Sequence, residues 1–162
     1  MKKEVLETKE SFLFRKAQPG DVSALQKLIN QSAQDGEMLS RSLSELYDNI
    51  RDFHVCIAGK QVVGVCALHI VWEDLAEVKS LAVLPNFRQQ GIGSRLARAC
   101  LKEAEALKVG RVFTLTDKEG FFMKIGFKKA DKNVLPQKVW GECVKCFKFP
   151  DCNEVAMIFE LS

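Results

Sequence analysis

The sequence lacks a long hydrophobic run and a large excess of charge of either sign. No stretch reaches the roughly 18 consecutive apolar residues that a transmembrane helix requires. The amino terminus, MKKEVLETKE, begins with positive charge but has no apolar core behind it, so a signal peptide is not indicated. The formal net charge is only +3 and basic residues are interspersed with acidic ones, which argues against a nucleic-acid partner. We therefore expect a cytoplasmic protein with no membrane partner and with reduced cysteines.

Potential metal ligands are also few. The two histidines, His54 and His69, lie far from the cysteine-rich segment, which contains Cys143-x-x-Cys146 followed by Cys152. This segment offers three of the four ligands of a structural zinc site, so a packed or cross-linkable cysteine cluster is favoured over zinc and no metal is expected. The other three cysteines lie in apolar patterns and are expected in the core: Cys56, Cys66 and Cys100.

The chain is long enough to bury one substantial core. Its 162 residues are 47% hydrophobic, which suits a single domain spanning residues 1–162. Apolar alternation predicts strands at residues 12–17, 53–58, 61–72, 112–116, 139–145 and 155–161, and a further strand ending at Leu84. Helices are predicted after an N-cap at Asp21, after a capping box at Ser42 to Glu45, and at residues 93–107 and 121–125. This order predicts an α/β fold, a mixed central sheet with helices on both faces.

A glycine-containing segment joins the strand ending at Leu84 to the next helix. It reads Arg88, Gln89, Gln90, Gly91, Ile92, Gly93 and Ser94. Glycines at this junction let main-chain N–H groups approach a ligand closely, and the following helix adds the positive end of its dipole. A dinucleotide-binding fingerprint would need a glycine where Leu96 stands, and a nucleotide triphosphate loop would need Lys before the Ser or Thr. The segment therefore predicts a cradle for a phosphate-bearing cofactor, with a simple turn as the alternative.

Together with the apolar strand end at Leu84-Pro85 and the later run from Phe121 to Phe127, this segment resembles the GCN5-related N-acetyltransferase (GNAT) superfamily, whose hallmark is Gln/Arg-x-x-Gly-x-Gly/Ala. The resemblance implies the GNAT fold, with a splayed strand at the cofactor site, and acetyl-coenzyme A (acetyl-CoA) as co-substrate. It implies that the pyrophosphate binds at the segment from Arg88 to Ser94. The thioester and pantetheine arm would meet main-chain N–H groups at Leu81, Ala82 and Val83.

The resemblance also implies a catalytic base and shows one departure from the family. Glu77 stands where histone acetyltransferases of the superfamily carry their catalytic glutamate; a solvated carboxylate paired with Lys79 is the alternative. Strand alternation predicts a shared face for Glu77, Lys79, Leu81 and Val83. Many members have a tyrosine where this chain has Phe122, so no tyrosine acid acts there and Phe122 is expected to pack on the cofactor.

The acceptor amine is indicated by a second resemblance, to N-acetylglutamate synthases. Residues 36–46 resemble the segment in which a Leu-x-Arg pair, here Leu39 and Arg41, grips the amino acid. Arg41 and the N–H groups of the following helix would receive the α-carboxylate. The lysines proposed for the side-chain carboxylate are Lys79, Lys138 and Lys148. This predicts acetylation of L-glutamate, the first step of arginine biosynthesis. Another amine such as glutamine or a protein lysine, a non-enzymatic acetyl-CoA-binding module, and a homodimer all remain open.

Overall fold

The computed structural model describes residues 11–36, 40–135 and 154–161 of the chain. Its strands are β1 (Phe12–Lys16), β2 (Phe53–Ala58), β3 (Gln61–Trp72), β4 (Leu75–Val83), β5 (Arg111–Thr116), β6 (Lys128–Ala130) and β7 (Val155–Glu160). The α-helices are α1 (Val22–Gln34), α2 (Leu43–Asp48), α3 (Ile92–Ala106) and α4 (Glu119–Ile125). Short 3-10 turns lie at Pro19–Asp21, Ile50–Asp52, Pro85–Phe87 and Lys132–Val134.

The strands form one sheet in the order β1-β2-β3-β4-β5-β7-β6. Strands β2, β3 and β4 follow one another through tight turns and pair antiparallel, while β4 and β5 are parallel because α3 connects them. The sheet is therefore mixed, as the sequence predicts.

Helices cover both faces, which we name by the helix that packs there. The α3 face buries one side of that helix through apolar positions spaced three and four residues apart: Leu96, Ala97, Cys100, Leu101 and Ala104. The opposite α1 face buries Val22, Leu25, Leu28 and Ile29 of α1 and Leu46 of α2. Close approach of α3 depends on Gly64 in β3, because a Cβ there would lie 2.9 Å from Ile92 Cγ2 and 3.0 Å from Leu96 Cδ1.

Most predicted elements are confirmed, including both strands of the β2–β3 hairpin at their predicted ends. Asp21 stands at the N-cap position of α1 as predicted, but the expected side-chain cap does not form. Its carboxylate accepts hydrogen bonds from Arg15 (2.7 and 3.1 Å) and from the Gln18 N–H (2.7 Å) instead of capping the helix. The pKa of Asp21 is lowered, chiefly by the Arg15 hydrogen bond. The strand predicted at 139–145 lies outside the described residues.

The cysteines predicted in the core are confirmed there, since Cys56, Cys66 and Cys100 are fully buried. Cys143, Cys146 and Cys152 lie outside the described ranges. Within residues 11–36, 40–135 and 154–161, no group of three or more His, Cys, Asp or Glu side chains is arranged to hold a metal ion. In the same ranges no helix has the length and apolar character needed to cross a bilayer.

Candidate functional site

Strand β4 separates from its parallel neighbour β5 after the first three of its nine residues. The two strands pair at Leu75↔Arg111, Ala76↔Val112 and Glu77↔Phe113. Beyond that point β4 continues to Val83, while β5 stays paired with β7 as far as Thr116. The hydroxyl of Thr114 donates to the Val78 carbonyl (2.9 Å) where strand pairing stops. This opening confirms the predicted splayed strand and leaves the β5-facing edge of β4 accessible to a ligand.

A β-bulge lies on β4 beside the opening. Val65 of β3 is opposite Ala82, and Ala67 is opposite Lys79, so β4 contains one more residue than β3 over this interval. Ser80 takes a left-handed conformation with φ of 56°. Such a bulge shifts the side-chain alternation of the strand by one residue.

The bulge corrects the predicted face of the strand. Leu81 and Val83 pack with the core of the α3 face, whereas Ala82 belongs to the cluster on the α1 face. Glu77 precedes the bulge and lies on the α1 face, because it pairs with His69, two residues after the α1-face residue Ala67. A single shared face is therefore wrong for the predicted set Glu77, Lys79, Leu81 and Val83. Strict alternation of side chains holds only for an unbroken pleat, and no side chain in this stretch signals the bulge.

The predicted phosphate cradle forms the turn between β4 and α3. Arg88 Nε donates to the Val83 carbonyl (3.2 Å), so the arginine also holds the turn against the end of β4. Gln89 and Gly91 both have positive φ, 63° and 79°. A Cβ on Gly91 would meet no protein atom within 4 Å, so the need for glycine there is conformational.

The residues of this turn fit a diphosphate. Helix α3 begins at Ile92, and the first N–H groups of a helix have no partner inside it. The N–H groups of Ile92, Gly93 and Ser94 therefore stand at the positive end of a 15-residue helix. Ile92 contributes only its main chain, because its side chain is buried in the core. Gln90 is exposed at the rim of the turn.

The ring predicted to contact the cofactor is buried instead. Phe122 is only 5% exposed and packs edge-to-face between Phe121 (5.0 Å) and Phe127 (5.2 Å). Phe121 is the ring that reaches the cradle, 3.6 Å from the Cβ position of Gly93. Phe122 therefore acts as a core residue, and Phe121 is the better placed of the two for a cofactor contact. The sequence places two phenylalanines side by side on a helix, and only packing decides which faces inward.

A polar band crosses the α1 face between two apolar clusters. On one side lie Ala67 and Ala82, and on the other lie Val71, Leu75 and Phe113. Its members are Glu77, His69, Asp52 and Lys79.

Glu77 is only 8% exposed. His69 is paired with Glu77 across β3 and β4, and its Nδ1 lies 2.6 Å from Asp52 Oδ2. In the sequence His69 was set aside as a metal ligand and was given no other role. Pairing β3 with β4 across the turn at residues 73–74 would have brought it to Glu77.

Arg41 lies immediately before α2, on the helical layer of the α1 face. Its N–H donates to Asn30 Oδ1 of α1 (3.0 Å), its side chain is only 18% exposed, and its Nη1 lies 3.9 Å from Glu45 Oε2. The predicted help from the N–H groups of α2 is reduced, because α2 has six residues and Ser42 accepts the N–H groups of Glu45 and Leu46. Recognition of a carboxylate here would depend on the guanidinium of Arg41. The other predicted substrate residues, Leu39, Lys138 and Lys148, lie outside the described part of the chain.

Comparison with known proteins finds acetyltransferases, both by family and by individual relatives. Residues 49–129 match the family described as the acetyltransferase (GNAT) domain. An uncharacterized N-acetyltransferase of Chlorobaculum tepidum is 40% identical, with 89% of this chain and 93% of the relative covered. An amino-acid acetyltransferase of Mycobacterium tuberculosis is 33% identical over 82% of this chain and 78% of the relative.

A solved structure shows the same architecture. It is an N-acetylglutamate synthase from Neisseria gonorrhoeae complexed with coenzyme A and N-acetyl-glutamate. The TM-score is 0.84 and the sequence identity 25%, over 95% of this chain and 36% of that longer chain.

Proposed function

This chain belongs to the GNAT acetyltransferase family and is an acetyl-CoA-dependent N-acetyltransferase, and we propose that its acceptor is the α-amine of L-glutamate. The product would be N-acetylglutamate, which places the reaction at the first step of arginine biosynthesis. Relatives named amino-acid acetyltransferase, and a structural neighbour that binds N-acetyl-glutamate, support an amino acid as acceptor.

The observation that carries the proposal is the position of Arg41. Its guanidinium is largely covered, and it lies in the helical layer over the face that presents Glu77. A guanidinium forms two parallel hydrogen bonds with a carboxylate, a geometry that lysine cannot reproduce. Lys79, on the same side of the sheet as Glu77, is the described candidate for the second carboxylate of glutamate. Lys138 and Lys148 stay candidates for the same carboxylate on the sequence alone.

Three parts of the chain divide the work of acetyl transfer. Acetyl-CoA supplies the acetyl group and a thiolate leaving group. The turn from Arg88 to Ser94 binds its diphosphate, and main-chain N–H groups on the free edge of β4, between Leu81 and Val83, bind the thioester oxygen and the pantetheine arm. Glu77 removes a proton from the ammonium group of the substrate, which leaves a neutral amine with a nucleophilic lone pair.

No tyrosine replaces the family acid, because Phe122 occupies that position and the single tyrosine, Tyr47, is half exposed on α2. The departing thiolate of coenzyme A is stable enough to take its proton from water.

The proposal is tested by measuring thiol release from acetyl-CoA with each of the twenty amino acids and identifying the product by NMR. We expect glutamate to give the highest kcat/KM, with acetylation at the α-amine. Glutamine is the matched control, since it differs only in the charge of the side chain. Equal or better turnover with glutamine, or with a lysine side chain in a peptide, would contradict glutamate as the acceptor.

A further inference from the structure

Strand β3 extends beyond the start of β2, so His69 of β3 lies beside Asp52, the residue that precedes β2. The last pair between the two strands is Phe53↔Ala67. His69 lies two residues further along β3 on the same face, and Asp52 ends the 3-10 turn just before Phe53. The contact between His69 Nδ1 and Asp52 Oδ2, at 2.6 Å, follows from this offset.

On its other side His69 is the direct cross-strand neighbour of Glu77. Opposite residues of an antiparallel pair have Cβ atoms about 4.5–5.5 Å apart, within reach of a carboxylate and an imidazole. The two side chains differ in their access to water. Glu77 is 8% exposed, whereas the side chain of His69 is 31% exposed.

We propose that His69, oriented by Asp52, accepts the proton that Glu77 takes from the substrate ammonium and passes it to solvent. This rests on the proposed function of Glu77 as the base. The substrate N–H bond breaks and Glu77 becomes a carboxylic acid. The carboxylic acid then loses its proton to the lone pair of His69 Nε2, and the imidazolium releases it to water. Glu77 returns to the carboxylate form and no other reactant is needed.

The carboxylate of Asp52 decides which ring nitrogen is available. A carboxylate can only accept, so His69 Nδ1 carries the proton in the neutral ring and Nε2 keeps its lone pair. Asp52 also stabilises the imidazolium while it exists. Asp52 and His69 are therefore positioning residues that act through Glu77.

A purely structural role, in which the pair ties the 3-10 turn to β3, is the competing explanation. The test compares kcat, KM for the acceptor and acetyl-CoA affinity for His69→Ala, His69→Gln and Asp52→Asn. Glutamine can still donate to Asp52 but cannot carry a proton. The proposal predicts that both His69 variants lose roughly 10- to 100-fold in kcat with KM and cofactor affinity nearly unchanged. Asp52→Asn should also lower kcat, by roughly 10-fold.

Free imidazole should restore part of the kcat of His69→Ala and none of the kcat of His69→Gln, where the side chain fills the space. His54→Gln, with the other histidine changed, is the control and should keep wild-type turnover with or without imidazole. Circular dichroism checks folding, and Asp52→Asn decides the question if the His69 variants do not fold.

Wild-type kcat in His69→Gln, or a loss in His69→Ala that imidazole cannot restore, overturns the relay. Each variant is assayed with glutamate and with the best other acceptor. If the His69 variants lose kcat and only another acceptor is turned over, the relay is supported and glutamate is rejected as the acceptor. If glutamate is turned over and the His69 variants keep wild-type kcat, glutamate is supported and the relay is rejected. No turnover with any amine would overturn both.

Discussion

The two histidines of this chain lie on opposite faces of the same sheet, and each has a carboxylate beside it. His69 Nδ1 lies 2.6 Å from Asp52 on the α1 face, and His54 Nε2 lies 3.1 Å from Glu103 on the α3 face. His69 adjoins Glu77, at the point where β4 and β5 separate. His54 is instead covered by α3.

The surroundings of His54 oppose a positive charge. The pKa of His54 is lowered, chiefly by burial and then by Lys16, and Glu103 only partly opposes this. Lys16 takes the better contact with the carboxylate, 2.7 Å from Glu103 Oε2, and the imidazole is not aligned for a hydrogen bond with it. Neighbouring Cys66 and Cys100 are fully buried. A histidine beside a carboxylate therefore has two different roles in this chain. His54 is a packing residue on the α3 face, and His69 on the α1 face is available for proton transfer.

The largest effect should come from the cradle, which serves the catalytic face without touching either histidine. Gly91→Val places a β-branched residue at φ of 79°, so the turn must rearrange. We expect acetyl-CoA binding below detection by calorimetry and loss of turnover. The pH dependence of unfolding near neutral pH, to which His54 contributes, should match wild type. Retained cofactor affinity would reject the cradle.

Glu77→Gln should have the next largest effect. It removes the proposed base while keeping a side chain of similar size in the polar band. We expect kcat to fall by about 10²- to 10⁴-fold, most severely at lower pH where the acceptor amine is hardest to deprotonate, with little change in cofactor affinity. An unchanged kcat–pH profile would remove Glu77 from the mechanism.

Arg41→Ala should affect binding more than turnover. Loss of a charge-assisted hydrogen bond of about 1.5–3 kcal/mol should raise the KM for glutamate by roughly 10- to 150-fold, with acetyl-CoA affinity unchanged. Arg41→Lys is the matched control, and it should recover the charge but only part of the affinity. Wild-type kinetics for Arg41→Ala would show that the carboxylate binds elsewhere.

His54→Gln should have the smallest effect, on stability alone. Because its pKa is lowered in the folded state, protonation favours the unfolded chain. The stability contributed by neutral His54 is present above the unfolded value of about 6.5 and is lost as pH falls towards and through the folded value. Urea unfolding should therefore depend less steeply on pH in the variant than in wild type between about pH 7 and pH 5. Equal pH dependence of unfolding in the two proteins would show that protonation of His54 is not linked to stability.

The sequence predicts best where local chemistry determines structure. The β2–β3 hairpin follows from two apolar runs around Gly59-Lys60, and the cradle follows from glycine at a strand-to-helix junction. Ser42 caps α2 as predicted, because its hydroxyl accepts the Glu45 N–H (3.1 Å).

Prediction fails where packing or long-range pairing decides. The bulge at Ser80 depends on the register between β3 and β4, and it reverses the faces of Leu81 and Val83. Strand β6 has three residues, two of them lysines, and forms only because β7 offers it an edge. Asp21 was available as a cap, but Arg15 brings a stronger partner.

All of the chemistry proposed for this chain requires the acetyl donor to bind in the opening between β4 and β5. Titration of coenzyme A into ¹⁵N-labelled protein tests this directly by amide chemical shifts. We expect large shifts at Leu81, Ala82 and Val83 and across Gln89 to Ser94, with the amides of His54 and Cys66 nearly unchanged. Shifts that spare these β4 amides while others respond would contradict binding in this opening.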